Sequence, residues 1–365
     1  MSAFPEGKRP ACPMKYPGCS GEIVDRQAKM CQACNTYHVT HQLSKPERER
    51  IKAEDRFITV ATQYLKDTPS HVHRLAPVKT KKTHSGVHEM VLMLSDAHFS
   101  EVVDPKVAMG LEYNEDISKR RIERVRDVTI RYKQLRESSY PIRKLTVAVL
   151  GDMLSGDIHE ELEVTNENPL PVALVTLAYY LHDMGVSLRK EFDDVELVFI
   201  PGNHPRTTRK PRFKQKTTMN WEYVLGHFVK ALAAGSYTVT VPKAMVYVHK
   251  VFGWRIGMSH GDAVKSNSFA GIPFYGIRQR REAIQALLRH LGQPGLDYLL
   301  MGHFHQPTML VGTDATVLIN GAIKGGDEYS IGTYLSSNDP VQLLLTLHEK
   351  HGLTDVSQIN LKSVK

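Results

Sequence analysis

From Glu89 onward, short apolar and β-branched runs alternate with longer stretches in which apolar residues recur every three to four positions. That alternation of strand and helix periods predicts an α/β domain over residues 89–350. Five runs read as strands: "MVLMLS", "LTVAVL", "VELVFI", "WRIGMS" and "LDYLLM". Helical periodicity covers Asn114 to Glu137, Pro169 to Phe192, Thr218 to Ala234 and Tyr275 to Leu291. Three short runs after His305, "TMLVG", "TVLIN" and "VQLLLTLHE", complete the sheets.

Upstream the pattern differs. Mixed charges with apolar residues at helical spacing predict a helix from Pro46 to Lys66, with Ser44 as its N-cap. An aperiodic stretch of Pro, Gly, His and Lys then reads as a linker, so that residues 46–88 form a helix and linker. Residues 1–45 hold too few apolar side chains for a core, yet all four cysteines of the chain lie there: Cys12, Cys19, Cys31 and Cys34. "CQAC" has the two-residue knuckle spacing of a zinc ribbon, and "CPMKYPGC" is a looser first pair. We expect a small zinc-binding module whose one structural zinc holds the segment together. His38 or His41 could replace Cys12 or Cys19 as a ligand; a pair of disulfides is the competing reading, which a reducing compartment disfavours.

Length and composition fit one large domain plus an appendage: 365 residues, 41% hydrophobic and 24% charged. The apolar runs are too short to cross a bilayer, and "MSAFPEGKRPACPMK" lacks the apolar core of a secretory signal. The expected setting is cytoplasmic, without membrane attachment. A formal charge of +8 favours polyanionic partners. Eighteen histidines make their positions worth reading singly.

Each of the five strand runs leads at once into metal-capable residues: "SDAH", "GDM", "PGNH", "SHGD" and "GHFH". Open α/β sheets collect ligands at the carboxyl ends of their strands. In extended backbone, side chains two apart point the same way, so His303 and His305 are expected to project together. In this order the blocks resemble the D-x-H, G-D, G-N-H, H and G-H-x-H blocks of the calcineurin-like metallophosphoesterase superfamily. The resemblance runs from about Glu89 to Tyr329 and leaves out the N-terminal region.

It implies a metallophosphoesterase-type α/β/β/α sandwich carrying two divalent ions. Asp96, His98, Asp152 and His305 would hold one ion; Asp152, Asn203, His260 and His303 would hold the other, with Asp152 bridging. These donors suit Mn²⁺ first, with Fe or Zn²⁺ as alternatives. Two such ions roughly 3.5 to 4 Å apart share a hydroxide and offset the charge of an in-line attack on phosphorus. By the same resemblance His204 serves as general acid or transition-state stabiliser.

Two departures stand out. Many members of the superfamily follow G-N-H with an acid, but Pro205 and Arg206 stand here. After "GD" comes "MLSGDIHEE", whose Asp157, His159, Glu160 and Glu161 read either as substrate-side groups or as a solvated loop. The stretch "GDMLSGDIHEEL" has the look of phage-encoded members, which would put the protein in a host cytoplasm.

Directly after the third block, "RTTRKPRFKQK" carries six basic residues in eleven. Arg206, Arg209, Lys210 and Arg212 are candidates to hold phosphates beside a scissile one, and Phe213 could stack on a base. Arg278, Arg280 and Arg281 either face the same groove or solvent. The expected activity is a DNA nuclease similar to the DNA-repair exonuclease branch, with nucleic acid as partner. The alternatives are a phosphoesterase for small phosphoesters or cyclic nucleotides, and a protein phosphatase. A non-catalytic scaffold is disfavoured because no ligand position is substituted.

Overall fold

Two β-sheets share one apolar layer in the computed structural model, which describes residues 86–158, 160–264, 272–334 and 337–364. The four cysteines, the helix expected over 46–66 and the linker up to residue 85 lie outside the described residues, as does His159.

The first sheet is built from β1 (His88–Leu94), β2 (Ile142–Val149), β3 (Asp194–Phe199), β4 (Thr238–Thr240), β10 (Val341–His348) and β11 (Gly352–Asn360). Its order is β11-β10-β1-β2-β3-β4, with β1 to β4 parallel and the other two antiparallel. The second holds β5 (Tyr247–Val251), β6 (Trp254–Met258), β7 (Tyr298–Met301), β8 (Thr308–Leu310) and β9 (Thr316–Ile319), in the order β5-β6-β7-β9-β8. Its central strands β6, β7 and β9 are parallel.

Parallel strands are covered on both faces, which is why they read as unbroken apolar runs. Val91, Met93, Ala148 and Val198 of the first sheet meet Ile256, Met258, Leu300 and Leu318 of the second in a single buried cluster. Helices α1 (Glu115–Glu137), α3 (Leu170–Glu191) and α4 (Trp221–Ala233) lie along the first sheet. Helix α5 (Phe274–His290) covers the second, setting Ile277, Ile284 and Leu288 against Leu299, Met301, Val317 and Ile319. Two short helices, α2 (Glu160–Thr165) and α6 (Glu328–Tyr334), complete the described elements. The α/β/β/α sandwich expected from the sequence is the fold observed. Among the described residues no helix is long and apolar enough to cross a membrane.

The periodic reading locates the long elements to within a few residues. Asn114 and Asn220 each cap a helix with a side-chain oxygen, accepting from Ile117 N (2.9 Å) and Glu222 N (2.8 Å). Because Asn220 is the cap, α4 starts three residues later than periodicity suggests. Strand β11 lies past residue 350, where the apolar pattern ends; "GLTDVSQIN" is a largely polar edge strand, held by pairing with β10.

Two buried amides join the sheets. Gln342 lies on β10 and Asn320 just past β9, and both are inaccessible to solvent. Gln342 Oε1 accepts from Ser95 N (2.8 Å) and from Asn320 Nδ2 (2.9 Å), while its Nε2 donates to the carbonyls of Gly321 and Val341 (both 2.8 Å). Asn320 Oδ1 accepts from Leu343 N at 2.9 Å. The knot sits one residue before Asp96, so it fixes the first sheet's site edge against the second. Gln342→Leu would strand several of these polar groups away from water, each at about 1–3 kcal/mol. Urea unfolding should show a loss of roughly 3 kcal/mol or more; an unchanged midpoint would mean that the sheets are not held here.

Candidate metal centre

Strands β1, β2, β3, β6 and β7 deliver their carboxyl ends to one edge of the sandwich. The continuations of β1, β2 and β7 share an unusual backbone. Asp96 (φ 55°), His98 (φ 44°), Asp152 (φ 51°), His303 (φ 72°) and His305 (φ 55°) all occupy the left-handed region. Non-glycine residues rarely enter it, and each such residue costs about 1–3 kcal/mol unless its surroundings enforce it. Here hydrogen bonds across the chain do so: Asp96 N to Gly151 O (3.0 Å), His98 N to Asp152 O (2.9 Å) and Gly302 N to His260 O (2.9 Å). The extended-strand argument for His303 and His305 therefore gives way. Strand β7 ends at Met301, and the two imidazoles enter the site from a turn, each joining a different group.

The side chains meet in overlapping sets. Donor atoms of Asp96, His98 and His305 lie within 4.8 Å of one another, and so do those of Asp152, His260 and His303. A third set of the same compactness joins His98, Asp152 and His204, linking the first two. His305 Nε2 stands 3.3 Å from both Asp96 Oδ1 and His98 Nε2. His260 Nε2 is 2.9 Å from Asp152 Oδ2 and 3.1 Å from Asn203 Oδ1. The seven residues read from the sequence as candidates for the two ions, Asp96, His98, Asp152, Asn203, His260, His303 and His305, thus lie in one place.

The donor set fits two divalent cations. His260 Nδ1 lies 2.7 Å from the Leu150 carbonyl, which fixes one ring proton there. Against burial, Asp152 raises the pKa of this ring to about 10, so Nε2 carries a second proton toward Asp152, and a cation taken up there would replace it. His98 and His305 turn Nε2 toward Nε2, an arrangement that a shared cation relieves. Burial, with Lys324 adding to it, pushes the His98 pKa well below its ordinary value, which leaves a neutral imidazole able to ligate. Burial, with His260, likewise lowers His303 to about 4. At Asp152 burial opposes ionisation, but His260 and His204 outweigh it and hold the carboxyl well below the usual range.

Gly202 makes room for that carboxylate. A Cβ there would fall 2.1 Å from Asp152 Oδ1 and 2.3 Å from its backbone nitrogen. Behind both lies Glu222, on the first turn of α4 and fully buried. Its Oε1 accepts from Met153 N (2.5 Å) and its Oε2 from Gly202 N (2.6 Å), tying the ends of β2 and β3 together. Burial and the nearby Asp152 raise its pKa to about 8, against the pull of the two N–H groups. No acid follows His204 in the chain, and the carboxylate buried beneath these strand ends comes from the next helix. A cap residue followed two places later by Glu was the available signal.

His204 donates its backbone N–H to Asp152 Oδ1 (2.8 Å), and its Nδ1 faces the Ser155 carbonyl at 3.1 Å. Its ring meets that of His98 edge-on, with centroids 4.5 Å apart.

The basic segment leaves the site as a pinned loop. Arg206 and Asn220 form an antiparallel bridge at its base, and Trp221 N donates to Pro205 O at 2.8 Å. The Arg206 guanidinium turns back onto the loop, donating to the carbonyls of Asn203 (2.8 Å), Thr208 (2.9 Å) and Arg209 (2.8 Å). Arg209, Lys210 and Arg212 stand exposed, as does Phe213 at 76%. Arg209 lies 3.7 Å from Glu163. At the far end Lys216 Nζ donates to Asp262 Oδ2 (2.5 Å), two residues past His260. Asp157 and Glu161 are exposed. Arg278 pairs with Glu282 at 2.9 Å, whereas Arg281 is buried against the Ala315 carbonyl (3.4 Å) and faces no groove.

No family model matches the chain, and no curated protein matches it. Solved structures similar to it include a conserved uncharacterized protein, a predicted phosphoesterase, from Streptococcus pneumoniae TIGR4, at 13% identity over 75% of this chain and 98% of that one (TM-score 0.28). Wild-type Vps29 from Entamoeba histolytica in complex with zinc is 13% identical over 74% of this chain and 99% of its own (TM-score 0.30). A novel archaeal phosphodiesterase is 12% identical over 74% and 99% (TM-score 0.34). At such TM-scores the likeness by itself decides nothing; the architecture rests on the strands and helices described above.

The packing at Gly202 and Glu222 is testable without any substrate. Gly202→Ala should displace Asp152 and remove metal uptake by the Asp152–His260–His303 set, as read by elemental analysis. Glu222→Ala leaves two buried N–H groups without acceptors and should cost roughly 2–5 kcal/mol in denaturant unfolding. A Gly202→Ala protein that binds metal like the parent would refute the placement of Asp152 between the two sets.

Proposed function

We propose that the chain is a metal-dependent phosphodiesterase acting on nucleic acid, most simply a DNA nuclease. The observation that carries the reading is the convergence of Asp96, His98 and His305 with Asp152, Asn203, His260 and His303, and of His204 beside both groups. It agrees with the ordered blocks that resemble calcineurin-like metallophosphoesterases. Those residues would hold two divalent cations, which supply Lewis acidity: they lower the pKa of water and offset charge on phosphoryl oxygens.

The remaining chemistry falls to His204. With Nδ1–H donated to the Ser155 carbonyl, only the imidazolium form offers a second proton, from Nε2 to a leaving oxygen. Burial lowers the pKa of this ring, while Asp152 and the Ser155 carbonyl raise it. An anionic phosphodiester alongside favours the charged form further.

Nucleic acid is favoured as substrate because the basic loop begins at the ligand strand end and is pinned there through Arg206 and Asn220. Exposed Arg209, Lys210 and Arg212 suit phosphates flanking the scissile one, and exposed Phe213 suits a base. Arg206, turned onto its own carbonyls, serves by shaping the loop.

Purified protein with Mn²⁺ should cut labelled DNA and a chromogenic phosphodiester, lose both activities to chelator, and regain them with Mn²⁺. His204→Ala should keep its metal and lose rate by about 10²–10⁴-fold; loss of metal instead would make His204 a ligand. Neutralising Arg209, Lys210 and Arg212 together should weaken DNA binding alike for all sequences. The slope of log K against log salt should fall by about 0.9 for each duplex phosphate that the variant no longer neutralises. Turnover of the small diester should hold. If the triple variant binds and cuts DNA like the parent, the loop does not grip substrate. A protein that hydrolyses only small phosphoesters would overturn the nucleic acid reading.

A further inference from the structure

His98 has a buried neighbour that its role as a ligand does not account for. Its Nε2 faces His305, and its Nδ1 points the other way, 3.5 Å from Glu101 Oε2. Among the described residues neither that nitrogen nor that oxygen has another hydrogen-bond partner, and both side chains belong to buried residues, at 1% and 5% exposure. A small rotation of either side chain closes the gap to hydrogen-bond length, and no other acceptor competes for a proton on Nδ1.

Glu101 is itself held. Its Oε1 accepts from Lys324 Nζ at 2.6 Å, and the same ammonium donates to Asp327. Lys324 is fixed through its backbone: Arg121 Nη1 donates to the carbonyls of Ile323 (2.8 Å) and Lys324 (2.6 Å), and Ile323 N donates to Asp96 O (3.1 Å). An ammonium can only donate, so Glu101 must present an oxygen to it. The other oxygen of the carboxylate then faces His98 as an acceptor. The chain of donors runs one way, and it puts the His98 proton on Nδ1.

We propose that Glu101, oriented by Lys324, is a positioning residue that fixes the His98 tautomer and so keeps Nε2 free for a divalent cation. The inference rests on the metal-centre reading, and it adds two residues outside the ligand blocks. It makes a specific demand on the amide variant. In Glu101→Gln the side-chain oxygen stays with Lys324 and the NH₂ turns to His98 Nδ1. That nitrogen must then accept, which moves the proton to Nε2 and blocks the ligand lone pair. Removing the ammonium lifts the constraint, so the amide can turn its oxygen back to His98.

The experiment is calorimetric titration of metal-free protein with Mn²⁺, on the parent, Glu101→Gln and Glu101→Gln with Lys324→Met, each checked for folding by thermal melting. The parent should take up two ions. Glu101→Gln should bind one of them about 10–100-fold more weakly, and the second substitution should restore affinity to within about three-fold, a non-additive recovery. A role in packing alone predicts that the double variant is no better than the single one, and that result overturns the proposal. So does a Glu101→Gln protein with parental affinity for both ions. A parent that binds no ion overturns the metal-centre reading and this one with it. Should Glu101→Gln fail to fold, ¹⁵N spectra of the parent's histidines decide: His98 protonated on Nδ1 is expected, and protonation on Nε2 refutes it.

Discussion

The carboxylate of Asp152 is the contact on which the site depends. One oxygen accepts the His204 N–H and the other faces His260 Nε2, so a single side chain meets residues carried by both sheets. It occupies the space where a side chain on Gly202 would begin. A glycine at that strand end is therefore a steric requirement of the acid on the neighbouring strand. The left-handed backbone of Asp152 lets its side chain turn inward from the end of β2, and the hydrogen bond between its carbonyl and His98 N keeps that turn in place.

Around this contact the polar groups are arranged by depth. Nearest are the imidazoles and carboxylates with exposed or facing lone pairs. Behind them sit Glu222 under the β2 and β3 ends, with a donor on each oxygen, and Glu101 under His98, with one oxygen held by Lys324. Lys324 is drawn in opposite directions: burial disfavours its charge, while Glu101 and Asp327 favour it more strongly and raise its pKa. Burying an unpaired charge is costly, so these groups persist only as a connected set. Gln342 and Asn320 do the same for the interface between the sheets with neutral groups.

Much of this could be read from the sequence, for a physical reason. Strands buried on both faces appear as unbroken apolar runs, and the candidate ligands follow those runs directly, so pattern and chemistry mark the same places. What could not be read depends on meetings between distant segments. Glu222 accepts from Gly202 N and Met153 N only because α4 starts beside those strand ends. Lys324 reaches Glu101 across more than half the domain, with nothing local to announce it. Arg206 looks like a phosphate ligand in a basic run, yet its guanidinium finds three backbone carbonyls first. Strand β11 is invisible to periodicity because its hydrogen bonds, and not its side chains, place it in the sheet.

The bridge between Arg206 and Asn220 separates the basic loop from the ligand turn by one closed step of antiparallel pairing. Arg206 ties the loop back to the Asn203 carbonyl, and Lys216 ties its far end to Asp262. The excursion is therefore closed at both ends before it reaches solvent. With both anchors fixed, a change of length or charge between them is taken up by exposed backbone and not by the strand ends that carry Asn203 and His260.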